Sequence, residues 1–417
     1  MSSASAAEFE LETDFYIEGD PRVSGYKDVW MHILFRLLNK MSAGHLVVQL
    51  PNGEKLTFAG ERCLEKRTIL YVKDLRMFRM IFKNSDVGLG ESYMKGYWSC
   101  ENLTVLIELA LLNESALKQV IAGKWIARTV DFLKCLLNAN TKRGSRRNIS
   151  HHYDLGNEFY KTWLDRSMTY SSAIFESADE TLLDAQARKY EFVSNVANVK
   201  EGSSILEIGC GWGGFAEHIL EKKNTSITAL TLSKEQLDYA SNRLPQEDMH
   251  TRVDLRLEDY REHSGNYDAI VSIEMFEAVG MKNWGSYFRA ISRNLKPGGK
   301  AAIQVITIAE DRFERYQKFP DFIQKYIFPG GFLPSKTAFI NSAEENGFQA
   351  EIRKEFGQDY ARTLSEWNMA FQQNWRPLLA LGFDARFKKM WEFYLQYCEA
   401  GFRQKALDVV IFELSKK

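Results

Sequence analysis

The chain has 417 residues, with 54 Lys and Arg against 55 Asp and Glu and a formal net charge of −1, so no global field draws it to nucleic acid. Its five cysteines form no CxxC and no metal-type His/Cys spacing, which excludes a disulfide framework and a zinc site and suits a reducing cytoplasm. The apolar run Leu103 to Leu112 is broken by Glu108 and is far short of the roughly 20 residues of a membrane-spanning helix.

Residues 1–20 mix small polar residues with six acids and no base, the composition of a disordered acidic tail without a secretory leader. From Lys27 to Met41, Val29, Trp30, Ile33, Leu34, Leu37, Leu38 and Met41 recur at helical spacing, for a helix that faces a core or touches lipid. Pro51-Asn52-Gly53 between two apolar runs predicts a hairpin. Helical patterning returns at 75–81, 103–112 and 115–137. Residues 139–150 are polar and basic, and their cations suit either a solvated linker or anionic lipid headgroups. The expected organisation is therefore a tail (1–20), a smaller N-terminal α+β domain (21–138) for lipid interaction or assembly, a linker (139–150) and a catalytic domain (151–417).

Strand and helix alternate from residue 203 onward. Strands are expected at 203–208, 226–232, 253–257, 267–273 and 300–307, with helices at 214–223, 234–244 and 284–295. Later strands near 350–356 and 407–412 would complete seven. This pattern predicts an α/β fold with a Rossmann-like, mostly parallel seven-stranded sheet. The stretch Ile205-Leu-Glu207-Ile-Gly209-Cys210-Gly211-Trp-Gly213 is a buried strand entering a glycine turn, where a ligand can lie against the main chain. Glu207 beside that turn favours S-adenosylmethionine (SAM) over a dinucleotide, because a pyrophosphate would be repelled by the carboxylate. A plain strand-to-helix turn is the alternative.

SAM also needs ribose and adenine partners. Thr231, Ser233 and Gln236 stand at the end of the second strand. Ser233 and Gln236 equally fit an S-x-x-Q helix cap. Glu258 and Asp259 follow the third strand, with Asp259 near the expected adenine position.

The motifs His152-Tyr-Asp-Leu-Gly-Asn157, Met168-Thr-Tyr-Ser-Ser-Ala173, Leu206 to Gly213, Met275-Phe-Glu-Ala-Val-Gly280 and Tyr326-Ile-Phe-Pro-Gly-Gly-Phe-Leu-Pro-Ser335 together resemble the cyclopropane-fatty-acid synthase family of SAM-dependent methyltransferases, relatives of the mycolic-acid cyclopropane synthases. The resemblance spans about 150–415 and reaches into the N-terminal part through Gly90-Glu-Ser-Tyr-Met94 and Trp98. It implies the class I SAM-dependent methyltransferase fold, with Tyr170, Ser171, Gly209 and its neighbours, Thr231, Gln236 and Asp259 on the cofactor. It also implies a bound bicarbonate acting as base, held by Ser172, Glu277, Gln304, Ile306 and Tyr360. Three positions depart from the family pattern, which commonly has Cys at Ser172, His at Ala278 and often His at Gln304.

The implied reaction is methyl transfer from SAM to the double bond of an unsaturated fatty acyl chain, with phospholipid as its expected carrier. Loss of a proton from the new methyl group then closes a cyclopropane ring; loss of a proton from another carbon, or a hydride shift, gives a methyl- or methylene-branched chain instead. No nucleophilic side chain is needed, but the cation must be kept from water. Tyr170, Phe276, Tyr326, Phe328 and Tyr360 are candidates to face it. The resemblance further implies a cytoplasmic protein at the inner face of the membrane, no metal, no nucleic acid, and a possible homodimer.

Overall fold

A computed structural model describes residues 26–117, 155–245, 247–248 and 251–417. The acidic tail, the helix expected over 115–137 beyond Leu117, the basic linker and His151-His152 lie outside the described residues.

The N-terminal part opens with helix Val29–Leu38, whose start is capped by the Asp28 carboxylate accepting from the Met31 N–H at 2.8 Å. Its apolar stripe buries Met31, Leu34, Phe35, Leu37 and Leu38, so it faces a core. The expected hairpin forms from β1 (Ala43–Gln49) and β2 (Lys55–Ala59). A third strand, β3 (Arg62–Val72), lies parallel to β1, and β4 (Trp98–Cys100) completes the sheet in the order β2-β1-β3-β4. The sequence reading missed β3 because its first half, Arg62-Cys-Leu-Glu-Lys-Arg67, carries charges that obscure any alternation.

Helix Arg76–Met94, broken at Ser85 by a positive φ of 54°, and helix Leu103–Leu112 then pack against helix Ala385–Arg403 from the far end of the chain. Polar pairs tie this seam. Thr104 Oγ1 donates to Glu399 at 3.0 Å, and Glu108 receives both Lys66 and Gln404. The hydrophobic core therefore runs unbroken from Leu38, Trp98 and Leu106 into Phe393 and Leu395.

Gly90 sits in the tightest part of this seam. A Cβ there would lie 2.4 Å from the Phe322 ring and 3.0 Å from that of Phe393. Overpacking of this kind costs about 1–3 kcal/mol, so Gly90→Val is expected to lower Tm by several degrees in a thermal melt. An unchanged Tm would show that the seam is not packed this way.

The catalytic part is built on β5 (Ser204–Ile208), β6 (Ser226–Thr231), β7 (Val253–Leu257), β8 (Tyr267–Ile273), β9 (Leu295–Ile308), β10 (Phe348–Glu355) and β11 (Leu407–Lys416). Their order is β10-β11-β9-β8-β5-β6-β7, with only β11 antiparallel to its neighbours. Helices Gly214–Lys222, Lys234–Arg243 and Trp284–Asn294 fall where the alternation puts them. One face of the sheet packs on the continuous core; the other packs on a second cluster that includes Phe276, Phe288 and Phe339, with Phe339 stacked on Phe412 at 4.1 Å. The chain runs outward from β5 to β7 and then returns to β8. A crevice therefore opens at the carboxyl ends of β5 and β8, where ligands of such sheets bind.

Candidate active site

The crevice is framed first by the turn after β5. Gly209, Gly211 and Gly213 hold φ of 88°, 53° and 84°, a region that only glycine enters without cost. A Cβ at Gly211 would meet nothing within 4 Å, so any side chain there would project into open space. Gly209 and Gly211 line a cavity of about 960 Å³, near the top of the roughly 300–1,000 Å³ range of small-molecule sites.

At the glycine end the cavity is lined by Tyr170, Ser171, Glu207, Gly209, Cys210 and Gly211. Thr231 and Gln236 join them from the end of β6, where Thr231 Oγ1 donates to Gln236 Oε1 at 3.0 Å. Ser233 is buried as the cap of helix Lys234–Arg243, accepting from the Gln236 N–H at 3.3 Å. Ser233 is absent from the cavity wall, so its observed role is the cap. Gly213 is likewise off the wall, at the mouth of the following helix.

Glu258 reaches the cavity, but Asp259 does not; its carboxylate is buried and gripped by the Arg261 guanidinium at 2.6–2.8 Å. The neighbours Tyr260 and Arg261 line the wall in its place.

The carboxylate of Glu207 is buried, and Oε2 has no hydrogen-bond partner among the described residues. Burial pushes its pKa up to about 8, against the pull of Lys189. A buried acid left open toward a cavity fits the ammonium group of an amino-acid cofactor. At pH 7 Glu207 is mostly protonated without a ligand, whereas a cation beside it favours the carboxylate. SAM binding is therefore expected to release a proton, seen as a buffer-dependent heat in titration calorimetry. In Glu207→Gln this dependence disappears; its persistence would assign the proton to another group.

The far end of the cavity holds the groups expected to cradle an anion. Glu277, Ile306 and Tyr360 line it, and the Ile306 N–H donates to Glu277 Oε1 at 2.5 Å. Ser172 and Gln304 are both wholly buried and lie behind the wall rather than on it. What stands in front of them is Glu274, which the motif reading missed. Its Oε1 accepts from the Ser172 N–H at 2.8 Å and the Gln304 amide at 2.8 Å, and its Oε2 accepts from the Tyr360 hydroxyl at 3.0 Å.

The Ile306 N–H donates to Glu277, and three of the five residues named for bicarbonate, Ser172, Gln304 and Tyr360, thus donate to the Glu274 side chain. An added anion would displace that carboxylate or press against it, so bicarbonate does not fit this arrangement. The signal available in the sequence was an acid at the carboxyl end of β8, three residues before Glu277.

A buried lysine was also missed. Lys189, on helix Leu182–Val196, is fully enclosed, with Nζ 2.7 Å from Ser171 Oγ and over the Tyr190 ring. Burial holds its pKa below the usual lysine range, and the charges of Glu274, Asp165 and Glu207 pull it back up. Burial raises Glu277 to about 8, helped by the charge of Glu274 and opposed by the Ile306 N–H.

Of the expected aromatic faces, Tyr170, Phe328 and Tyr360 line the cavity. Phe276 is instead core, packed on Trp284, Tyr287 and Phe339. Tyr326 points away and donates to Glu91 at 2.7 Å.

This sheet order with a glycine turn on a cavity of this kind defines a SAM-dependent methyltransferase. Residues 140–412 match the family model described as mycolic acid cyclopropane synthetase. The tuberculostearic acid methyltransferase UfaA1 of Mycobacterium tuberculosis is 38% identical over 81% of this chain and 81% of its own length. The cyclopropane-fatty-acyl-phospholipid synthase of Escherichia coli is 34% identical over 81% of this chain and 85% of its own. Among solved structures, the cyclopropane synthase MmaA2 from Mycobacterium tuberculosis superposes with a TM-score of 0.61 at 28% identity, over 65% of this chain and 98% of that one. The mycolic acid cyclopropane synthase CmaA1, complexed with SAH and CTAB, gives 0.60 at 30% over the same shares. The chain belongs to the mycolic acid cyclopropane synthetase family and is a SAM-dependent methyltransferase of that type. Among the described residues, no helix is long and apolar enough to cross a membrane.

Proposed function

We propose that this enzyme transfers a methyl(ene) group from SAM to the double bond of an unsaturated fatty acyl chain, carried in phospholipid, to form a cyclopropane fatty acid. The observation that carries this reading is a single cavity with two characters. Its glycine-loop end carries the polar groups named for the cofactor, while beyond it Leu106, Ile107, Leu109, Ile323 and Leu364 supply apolar wall suited to an acyl tail, and Asp86, Glu114, Arg312 and Arg315 also line that part. When bound, SAM supplies an electrophilic methyl group to the alkene carbon. The protein keeps water from the positive charge that appears on the acyl chain. The rings of Tyr170, Phe328 and Tyr360 offer that charge aromatic faces, each worth up to about 2 kcal/mol in a desolvated site.

Bicarbonate is the base that the family resemblance implies, but the arrangement of Glu274 leaves it no free donor set, and no step is assigned to it. A second reading, a methyl- or methylene-branched product, draws support from the 38% identity to a tuberculostearic acid methyltransferase.

Because the acyl substrate resides in a bilayer, the proposal places the protein in the cytoplasm against the inner face of the membrane. The part at 21–138 helps to receive the tail, since Leu106 and Ile107 line the chamber. A homodimer belongs to the same proposal. Mass spectrometry of lipids from cells expressing the chain tests the whole reading: derivatised acyl chains should show a ring at the former double bond. A methylene or methyl branch there would select the second reading, and unmodified acyl chains would reject both.

A further inference from the structure

We infer that Glu274 is the general base of this reaction, a carboxylate built into the chain at the place where an exogenous anion would otherwise sit. The inference rests on the proposed acyl methylation and deepens it.

Four observations support it. Glu274 lines the cavity within the same wall as Glu277, Ile306 and Tyr360. Its two oxygens accept three hydrogen bonds, from the Ser172 N–H, the Gln304 amide and the Tyr360 hydroxyl. A carboxylate has about four lone-pair sites, so one remains, on Oε2, to take a proton. The three donors come from three separate parts of the chain, so they fix the carboxylate rigidly.

The backbone is the third observation. Glu274 holds φ of 49°, a left-handed conformation that L-residues other than glycine rarely adopt. Strain of this kind persists where the surroundings enforce it, and it aims this side chain. The fourth is the neighbouring charge. Burial raises the Glu274 pKa, which makes it a stronger base, while the Ser172 N–H, the charge of Lys189, the Gln304 amide and the Tyr360 hydroxyl favour its carboxylate form. Glu277 is pushed up to about 8 by burial and by the charge of Glu274, with only backbone N–H groups opposing.

The step balances. After methyl transfer the acyl chain carries one positive charge beside the new C–C bond. Glu274 Oε2 takes a proton from the added carbon, and the C–H electron pair moves to the cationic carbon. That pair closes the three-membered ring; if a hydride first shifts from the methyl-bearing carbon to its cationic neighbour, the same pair instead forms a double bond between the methyl-bearing carbon and the added carbon. The carboxylate becomes a carboxylic acid and later returns the proton to solvent.

The test uses the full-length protein, SAM and vesicles of an unsaturated phosphatidylglycerol. Wild-type turnover should be unchanged in buffer stripped of carbon dioxide and bicarbonate. Glu274→Gln, which keeps the shape and most of the hydrogen bonds, should bind SAM normally by calorimetry but lose at least about 100-fold in kcat, within the range of a positioned proton-transfer group. Glu274→Gly suits the positive φ and leaves three donors around an anion-sized gap. Added bicarbonate or formate should restore part of its turnover. Wild-type turnover that requires bicarbonate, or a Glu274→Gln enzyme as fast as wild type, would overturn the inference while leaving acyl methylation intact. Wild-type protein that releases S-adenosylhomocysteine without modifying lipid would instead reject the proposed function.

Discussion

Gly211→Val is expected to abolish measurable SAM binding in a protein that still folds. The glycine sits at φ 53° on the cavity wall, and a Cβ added there would meet nothing within 4 Å. A β-branched residue is an outlier in that conformation, so the turn must shift as well as fill. Both effects fall on the loop that carries the cofactor, and neither reaches the packed core. Calorimetry should show affinity reduced by at least about 100-fold, equivalent to losing about 2.7 kcal/mol, with a circular dichroism spectrum like that of wild type. Unchanged affinity in a folded variant would remove this loop from the cofactor site.

Lys189→Met should damage both stability and turnover. The ammonium group is buried with no solvent to replace it, and three acids (Glu274, Asp165 and Glu207) act on it electrostatically. Removing one partner of a buried charge set costs about 3–5 kcal/mol, because the remaining charges are left uncompensated. Glu274 and Glu207, whose carboxylates Lys189 favours, would answer by holding protons more tightly. Glu274 would then be a poorer base and Glu207 a poorer partner for an ammonium. Tm should fall by several degrees at pH 7. Turnover should fall by at least about tenfold, the low end for a proton-transfer defect, with part of the loss recovered as pH is raised. A variant with wild-type turnover at pH 7 would show that Lys189 is only a packed side chain.

These expectations draw on sequence and structure unequally. The seven strands of the catalytic part were legible because apolar runs such as Ile205–Ile208 and Ala269–Ile273 are punctuated by glycine, proline or polar turns. The cofactor loop was legible for the same reason, and Glu207 stood beside it. β3 was not, because it carries charges such as Lys66, which pairs with Glu108 inside the N-terminal part. The division into an N-terminal and a catalytic part was read from composition alone. Helix Ala385–Arg403 returns from the end of the chain to join the N-terminal layer, a contact that no local pattern encodes.

The site shows the same limit. Ser172, Gln304 and Tyr360 were named for an anion, and they do converge on one. That anion is the side chain of Glu274, brought to residues 30 to 102 positions away in sequence by the fold. Phe276 and Tyr326 looked like cavity aromatics only because motif neighbours of true wall residues share their composition. Their direction is set by packing: Phe276 into the second core cluster, Tyr326 toward Glu91.

The most direct measurement of the account is turnover with trideuteromethyl-labelled SAM on vesicles of an unsaturated phospholipid, with the acyl product analysed by mass spectrometry. The account predicts one labelled carbon added per S-adenosylhomocysteine released, with one deuterium lost to the base and the remaining pair kept on the added carbon. Cofactor consumption without label in the acyl chain, or a product that keeps the whole trideuteromethyl group, would contradict it.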